Sequence, residues 1–295
     1  MSYFIIIGGG IEQASMYKNL KKKKIKTICV DINEKCYCKK LSNIFVKAST
    51  RDPLSIIRKL EKLNKKYLAV STLGTDTPYT VSKIASKFKL NSIPIKSAKN
   101  ASLKNLMKKC FVTHNIPTAK YFLCQNISQL KKKIKVFKFP IIIKPIDGRG
   151  SDGVKILFEK NKIDDHYKKS IKNSNFNTIL LEEYLHGPQF SSEGFFYNNN
   201  FYLSGVALRY YDNLNSTQPN IVEAGGFLPA DLSKIKMNMI EKLMYDTGKS
   251  LGILNGPLKA DLVFHKNKFY VIEVAARLSG NYLASHYIRW IHKVD

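Results

Sequence analysis

Short apolar runs alternate with helical periodicity over the first third of the chain. Residues 3–7 are apolar throughout, end in Gly8-Gly9-Gly10 and lead into a helical pattern reaching about Leu20. A second run, 27–30, ends at Asp31, and Ile56, Ile57, Leu60 and Leu63 then mark a helix. Residues 67–70 form a third strand, after which Gly74-Thr75-Asp76 opens a helix through Phe88. Unbroken apolar strands separated by helices predict a parallel, Rossmann-like sheet over roughly the first 95 residues. Gly8, Gly10 and Asp31 invite a dinucleotide reading, but Gln13 stands at the third glycine position of that fingerprint. A tight strand-to-helix turn is the better expectation.

The pattern then changes. Leu103, Leu106, Met107 and Cys110 share one face of a helix expected over 97–110, with Lys104 off that stripe. After a lysine-rich helix near 127–136, an apolar run at 140–143 ends in Lys144-Pro145, and a loop with Gly148, Gly150 and Gly153 leads to a second run at 154–158. This reads as a β-hairpin with a glycine-rich connection. A strand at 178–182 leads to a turn-rich connector, and two further strands (190–197 and 201–209) pair over 198–200. Asp231 is placed to cap a helix that runs to Leu251 and closes at Gly252.

Residues 258–277 alternate cleanly. Leu258, Ala260, Leu262 and Phe264 fall on one face of a strand, and Tyr270, Ile272 and Val274 on one face of the next. Lys259, Asp261 and Val263 oppose them, together with Val271, Glu273, Ala275 and Arg277. If the turn holds an odd number of residues, such as Lys266-Asn267-Lys268, Asp261 lies directly across from Glu273; a two-residue turn would separate them.

Two chemistries emerge from these patterns. Several loop glycines let backbone N–H groups turn toward an anion, and Lys144 and Arg149 add charge beside them, which points to phosphate. The loop is neither a P-loop nor a dinucleotide fingerprint. Two carboxylates about 5 Å apart on a strand pair repel unless a proton or cation lies between them. Hard oxygen ligands without a His/Cys cluster suit Mg²⁺ or Mn²⁺ shared with substrate phosphates. The plain alternative is a pair of charges balanced by Lys259 and Arg277.

Composition narrows the setting. The formal net charge is +27, yet only six of the 49 basic residues are arginine. The lysine excess, with no helix-turn-helix, zinc-finger or RNP-like signature, reads as a solvated surface and not as a nucleic-acid interface. No apolar run reaches about 18 residues, and the opening residues lack a charged n-region and cleavage site, so neither a membrane span nor a secretion signal is expected. Cys29, Cys36, Cys38, Cys110 and Cys124 lack CxxC spacing and read as reduced thiols of a cytoplasmic protein.

Together, these residues resemble the ATP-grasp superfamily of carboxylate–amine ligases, which includes L-amino-acid ligases and the ATP-grasp domains of carbamoyl-phosphate synthase and biotin carboxylase. The fold class implied is α/β and α+β. A Rossmann-like pre-ATP-grasp domain (1–96) would precede an ATP-grasp domain (97–295) with a glycine-loop lid near 113–186 and a metal and substrate part near 187–295. Compared with the family, the C-terminal part looks short or truncated at Asp295.

By this resemblance Lys104 and Lys144 contact ATP phosphates, and the loop carrying Asp147, Gly148, Arg149, Gly150, Ser151 and Gly153 closes over them. Glu182, Glu183, Tyr184 and Leu185 look like the adenine hinge, and Gln189 stands where many members have a ribose-binding glutamate. Asp261 and Glu273 match the metal carboxylates, while Ala275 replaces an asparagine that often supplies a third ligand. Arg277 matches the arginine holding a substrate or phosphoryl oxygen, Arg209 is assigned to the carboxylate substrate, and 223–230 is similar to a segment of L-amino-acid ligases. The implied activity joins a small-molecule carboxylate to an amine through an acyl phosphate, with ADP and phosphate released. The implied partners exclude specific nucleic acid and membrane. Self-association is compatible with an apolar surface around Ile288, Trp290 and Ile291. Two other readings stay open: nucleotide binding without turnover, motivated by Ala275, Gln189 and the early stop, and a basic nucleic-acid binder.

Overall fold

The computed structural model describes residues 2–293 except 149, 173 and 218. Its first layer is a parallel sheet of β1 (Ser2–Ile7), β2 (Lys26–Asp31), β3 (Ile44–Lys47) and β4 (Lys66–Ser71), in the order β3-β2-β1-β4. The helices α1 (Ala14–Lys22), α2 (Pro53–Leu63) and α3 (Pro78–Lys87) accompany it. Ile5, Ile7, Ile28 and Val30 pack with Ile56, Leu60 and Ile84 in one cluster, while Ile6 and Cys29 pack with Tyr17 and Leu20 in another. Burial on both faces is why these strands read as unbroken apolar runs. β3 went unpredicted because its four residues carry too little pattern.

The first glycine run makes the expected tight strand-to-helix turn, closed by the Gln13 N–H on the Gly10 carbonyl (3.1 Å). Gln13 is buried; its Nε2 donates to the Leu73 carbonyl (2.6 Å) and to Thr75 Oγ1 (2.9 Å). Asp31 Oδ2 accepts from the Gly9 N–H (2.8 Å), so that carboxylate is spent within the turn.

The single helix expected over 97–110 is two: α4 (Ile95–Ser102) and α5 (Lys104–Thr113). Leu103 between them is extended (φ −110°, ψ 115°), and the freed Lys104 N–H donates to the Ile146 carbonyl (2.8 Å). That break restarts the helix with Lys104 at its first position.

An antiparallel sheet follows, with β5 (Tyr121–Cys124), β6 (Ile141–Pro145), β7 (Lys155–Leu157) and β8 (Ile179–Glu183) in the order β5-β8-β6-β7. Ile141, Ile143 and Leu181 pack with Leu130 of α6 (Ile127–Lys133) and Ile163 of α7 (Ile163–Lys172). The glycine-rich loop joins β6 to β7, as the pattern predicted.

The third sheet has the order β11-β10-β9-β12-β13. Its strands are β9 (Gln189–Tyr197), β10 (Asn200–Tyr210), β11 (Gly225–Phe227), β12 (Gly256–His265) and β13 (Lys268–Ala275). Short α8 (Leu214–Thr217) and α10 (Ile288–His292) flank it, and α9 (Lys234–Leu251) covers its apolar face with Ile240, Leu243 and Met244. Ser233, not Asp231, caps α9: its side chain accepts from the Lys236 N–H, and Asp231 lies two residues too early. Gly252 closes α9 in the left-handed region (φ 77°), as expected.

The β12–β13 register reaches the expected pairing by another route. The turn has two residues, Lys266-Asn267, since His265 pairs with Lys268. A β-bulge then shifts the register so that Asp261 faces Glu273, with Ile272 as the extra residue. The core face of β13 is therefore Phe269, Val271 and Val274, not Tyr270, Ile272 and Val274.

Gly248 of α9 lets the helix approach β9 closely: a Cβ there would lie 2.2 Å from Phe196 Cε2. Phe196 is boxed by Phe201 and Tyr245 (centroids 5.0 and 6.1 Å away), which restricts its escape. Gly248→Ala gains about 1 kcal/mol of helix propensity and loses about 1–3 kcal/mol to overpacking. A lower melting temperature is expected; an unchanged or higher one would show that the ring moves aside freely.

Candidate active site

The three layers surround a cavity of about 900 Å³. Its floor is charged. Lys104, Lys108 and Lys144 are 4%, 1% and 4% exposed, and Glu182 is 3% exposed. Buried ammonium groups are tolerated only when paired and hydrogen-bonded, and each of these is.

Lys144, on β6, lies 2.9 Å from Glu182 Oε2 of the neighbouring strand β8. Lys108, on α5, lies 3.2 Å from Glu182 Oε1. Lys104 Nζ donates to the Gly148 carbonyl of the glycine loop (2.6 Å) and lies 3.1 Å from Glu273 Oε1. One lysine thus ties the loop to the carboxylate hairpin. Burial alone would push the Glu182 carboxyl up, but Lys108 and Lys144 outweigh it and hold it below the usual range. Burial pulls the Lys108 ammonium down to about 8, against the opposing effect of Glu182.

Asp261 and Glu273 face each other across the ladder, and both line the cavity. Lys259 (2.5 Å) and Arg209 (2.6 Å) contact Asp261 Oδ1. Burial raises the Asp261 carboxyl and these cations more than compensate, so it titrates below its ordinary value. Arg209 also pairs with Glu223. Among the described residues no three His, Cys, Asp or Glu side chains converge as a metal cluster. Two carboxylates with hard oxygens fit Mg²⁺, which commonly takes one or two protein carboxylates and completes its shell with phosphate and water.

The cavity brings together Lys104, Lys144, Gly148, Gly150, Ser151, Glu182, Glu183, Tyr184, Leu185, Gln189, Arg209, Asp261, Glu273 and Arg277. Two expected contacts lie elsewhere. Asp147 accepts from Ser174 Oγ (2.6 Å) and the Asn175 N–H (3.0 Å), so it anchors the loop to the segment before β8. The Gly153 carbonyl accepts from Ser170 Oγ of α7 (2.6 Å) and likewise faces away. Glu182 differs from a simple hinge residue because its side chain joins two lysines. Arg149 lies outside the described residues.

Pattern reading missed several members of the site. Lys108 follows Lys104 by four residues and precedes Phe111 by three, so Lys104, Lys108 and Phe111 occupy one buried face of α5. A search for apolar stripes discards a face carrying two lysines. At the far end of the cavity, Glu12 Oε2 accepts from the Asn281 N–H (3.1 Å), and Arg277 Nε lies 3.8 Å from Asp76 Oδ1. Gly74 donates to the Leu278 carbonyl (3.2 Å), closing this end against the first layer. Glu193, buried beside Ser279, accepts from its backbone N–H, and burial raises the Glu193 carboxyl.

The ATP-grasp domain family matches residues 137–285, half of the chain. The chain belongs to the ATP-grasp family. Its match spans the glycine loop, Lys144, Glu182 and the carboxylate hairpin, all features of this cavity, whereas Lys104 and Lys108 of α5 precede the matched residues. Among curated relatives, phosphoribosylamine–glycine ligase of Methanosphaera stadtmanae is 29% identical over 110 residues, covering 35% of this chain and 25% of that one. D-Alanine–D-alanine ligase of Rickettsia typhi is 26% identical over 181 residues, covering 57% and 51%. This ATP-grasp chain thus spans about half or less of these relatives. Among solved structures, L-amino acid ligase from Bacillus licheniformis superposes with a TM-score of 0.81 at 20% identity, covering 98% of this chain and 70% of that one. That likeness establishes the fold, including the expected α/β and α+β architecture.

The Glu182 cluster makes a stability prediction. Its folded pKa is depressed, so its contribution is present above the ordinary glutamate value of about 4.3 and is lost as the pH falls through the folded value. Glu182→Gln leaves two buried ammoniums around a neutral amide and should cost about 3 kcal/mol at pH 7. Denaturant unfolding from pH 7 to 3 should also show a shallower acid loss in the variant than in the parent. Equal stability at pH 7 would contradict the assignment.

Proposed function

We propose that this chain binds Mg·ATP in the cavity and joins a carboxylate to an amine. The observation that carries the reading is the Lys104 ammonium, bonded to the Gly148 carbonyl, and the Lys144 ammonium sharing one cavity with the facing pair Asp261 and Glu273. Phosphoryl transfer asks a protein mainly for positioning and charge neutralisation, which lysines, arginines and turned backbone N–H groups supply. The curated relatives named as ligases support the reaction class.

Each residue then has a task. Lys104 and Lys144 would hold phosphate oxygens, and the backbone of Gly148, Gly150 and Ser151 would cover them. The segment of Glu183, Tyr184 and Leu185 would receive the base, with Gln189 offering a hydrogen bond to a ribose hydroxyl. Asp261 and Glu273 would hold Mg²⁺, which supplies charge neutralisation at the phosphates. Arg277 would hold a carboxylate or phosphoryl oxygen, and Arg209 the carboxylate substrate. The substrate carboxylate oxygen would attack the γ-phosphorus with loss of ADP, and the amine would then displace phosphate from the acyl phosphate to form the C–N bond.

The second reading, nucleotide binding without ligation, draws on Asp261 already being engaged by Lys259 and Arg209 and on Ala275 at the family's third metal position. ATP-dependent phosphate release, screened over carboxylate and amine pools, separates the two. Ligation predicts release only with both substrates present; intact ATP binding with no release in any pool would favour the binding module. Lys144→Ala should weaken ATP affinity by at least about tenfold, a loss of about 1.4 kcal/mol, and unchanged affinity would remove Lys144 from the site. Glu273→Gln should shift the Mg²⁺ titration of nucleotide binding to higher concentration, and a curve matching the parent would refute the paired-carboxylate site.

A further inference from the structure

We propose that Lys108 is a positioning residue of the nucleotide site: it holds Glu182 from the side away from the cavity and so leaves the Lys144 ammonium free to serve an anionic ligand. This role rests on the nucleotide-binding reading above and adds a residue to it.

The geometry carries the inference. Glu182 has one carboxylate and two ammonium partners, Lys144 on Oε2 (2.9 Å) and Lys108 on Oε1 (3.2 Å). Lys144 and Glu182 line the cavity, whereas Lys108 does not and is fully buried behind them. Without Lys108, Lys144 and Glu182 would form a neutral pair, and a phosphate would have to compete with Glu182 for Lys144. With Lys108 present, two ammoniums share one carboxylate, and the trio keeps one net positive charge at the cavity floor.

Lys108 is itself fixed from behind. Its Nζ donates to Thr118 Oγ1 (2.6 Å), which donates to the Val271 carbonyl on β13 (2.8 Å). The Val271 N–H donates to the Pro117 carbonyl (2.8 Å), locking this segment to the strand that bears Glu273. The charged groups acting on Lys108 come from three strands: Glu182 on β8, Lys144 on β6 and Glu273 on β13. Because burial leaves its ammonium titrating near 8, the trio should lose its surplus charge in mildly alkaline solution.

The test is calorimetric titration of the full chain with Mg·ADP at pH 7 and pH 9, using the parent, Lys108→Met and Lys108→Arg, with circular dichroism and thermal melts for each. The parent should bind more weakly at pH 9 than at pH 7. Lys108→Met should bind about tenfold more weakly at pH 7, a difference of about 1.4 kcal/mol, with little further change to pH 9. Lys108→Arg, which stays charged, should keep parental affinity at pH 7 and hold it at pH 9. A folded Lys108→Met with parental affinity would overturn the role, and so would a Lys108→Arg profile parallel to the parent's. If Lys108→Met does not fold, the arginine variant's profile decides alone. Absence of Mg·ADP binding by the parent itself would instead overturn the nucleotide reading, and the role of Lys108 with it.

Discussion

Three buried lysines that must each find a carboxylate or carbonyl constrain this structure more than any other interaction. An ammonium group taken out of water without a partner would cost several kcal/mol, so α5, β6, β8, β13 and the glycine loop have to converge at one place. Lys104 bonds the Gly148 carbonyl and approaches Glu273; Lys108 and Lys144 share Glu182. These contacts join the second sheet and its glycine loop to the carboxylate hairpin across the cavity. Replacing them with apolar groups could build an equally stable core, but one with no charge to offer a ligand. The cluster is therefore better explained by what enters the cavity than by the stability it contributes.

Backbone irregularities deliver these side chains. The extended Leu103 splits one expected helix into two and sets Lys104 at the start of α5. The bulge at Ile272 rescues the Asp261–Glu273 pairing from a two-residue turn that would otherwise have put Glu273 on the core face. Both are single-residue departures from regular structure, and both sit next to a charged group of the site. Bulges and helix breaks commonly re-aim side chains in this way.

Much of the fold was legible because its periodicities are long and clean. The parallel first layer, the glycine-loop hairpin, the strand pair over Asn198 and Asn199 and the helix ending at Gly252 all follow from apolar spacing and turn residues. The short strands β3, β5 and β11 carry too few residues to register. In the site, Asp261 opposite Glu273 could be read from alternation, although the turn length that justified it was wrong and the bulge made up the difference. Asp147 and Gly153 belonged to the right loop, but nothing in loop sequence says which way a side chain or carbonyl turns. Lys108 stayed hidden because its carboxylate partner Glu182 on β8, far away in the chain, is what makes a buried lysine acceptable.

A comparison of two cavities gives the most direct check. The main cavity holds the charged floor, whereas a smaller crevice beside Gly8, Gln13 and Thr75 lies at the strand ends of the first layer. Hydrogen–deuterium exchange with and without Mg·ATP distinguishes them. Nucleotide should slow exchange at Gly148–Val154 and at Glu183–Leu185 and leave the Gly8–Gln13 turn unchanged. Protection confined to the Gly8–Gln13 turn, or no protection anywhere at saturating nucleotide, would contradict it.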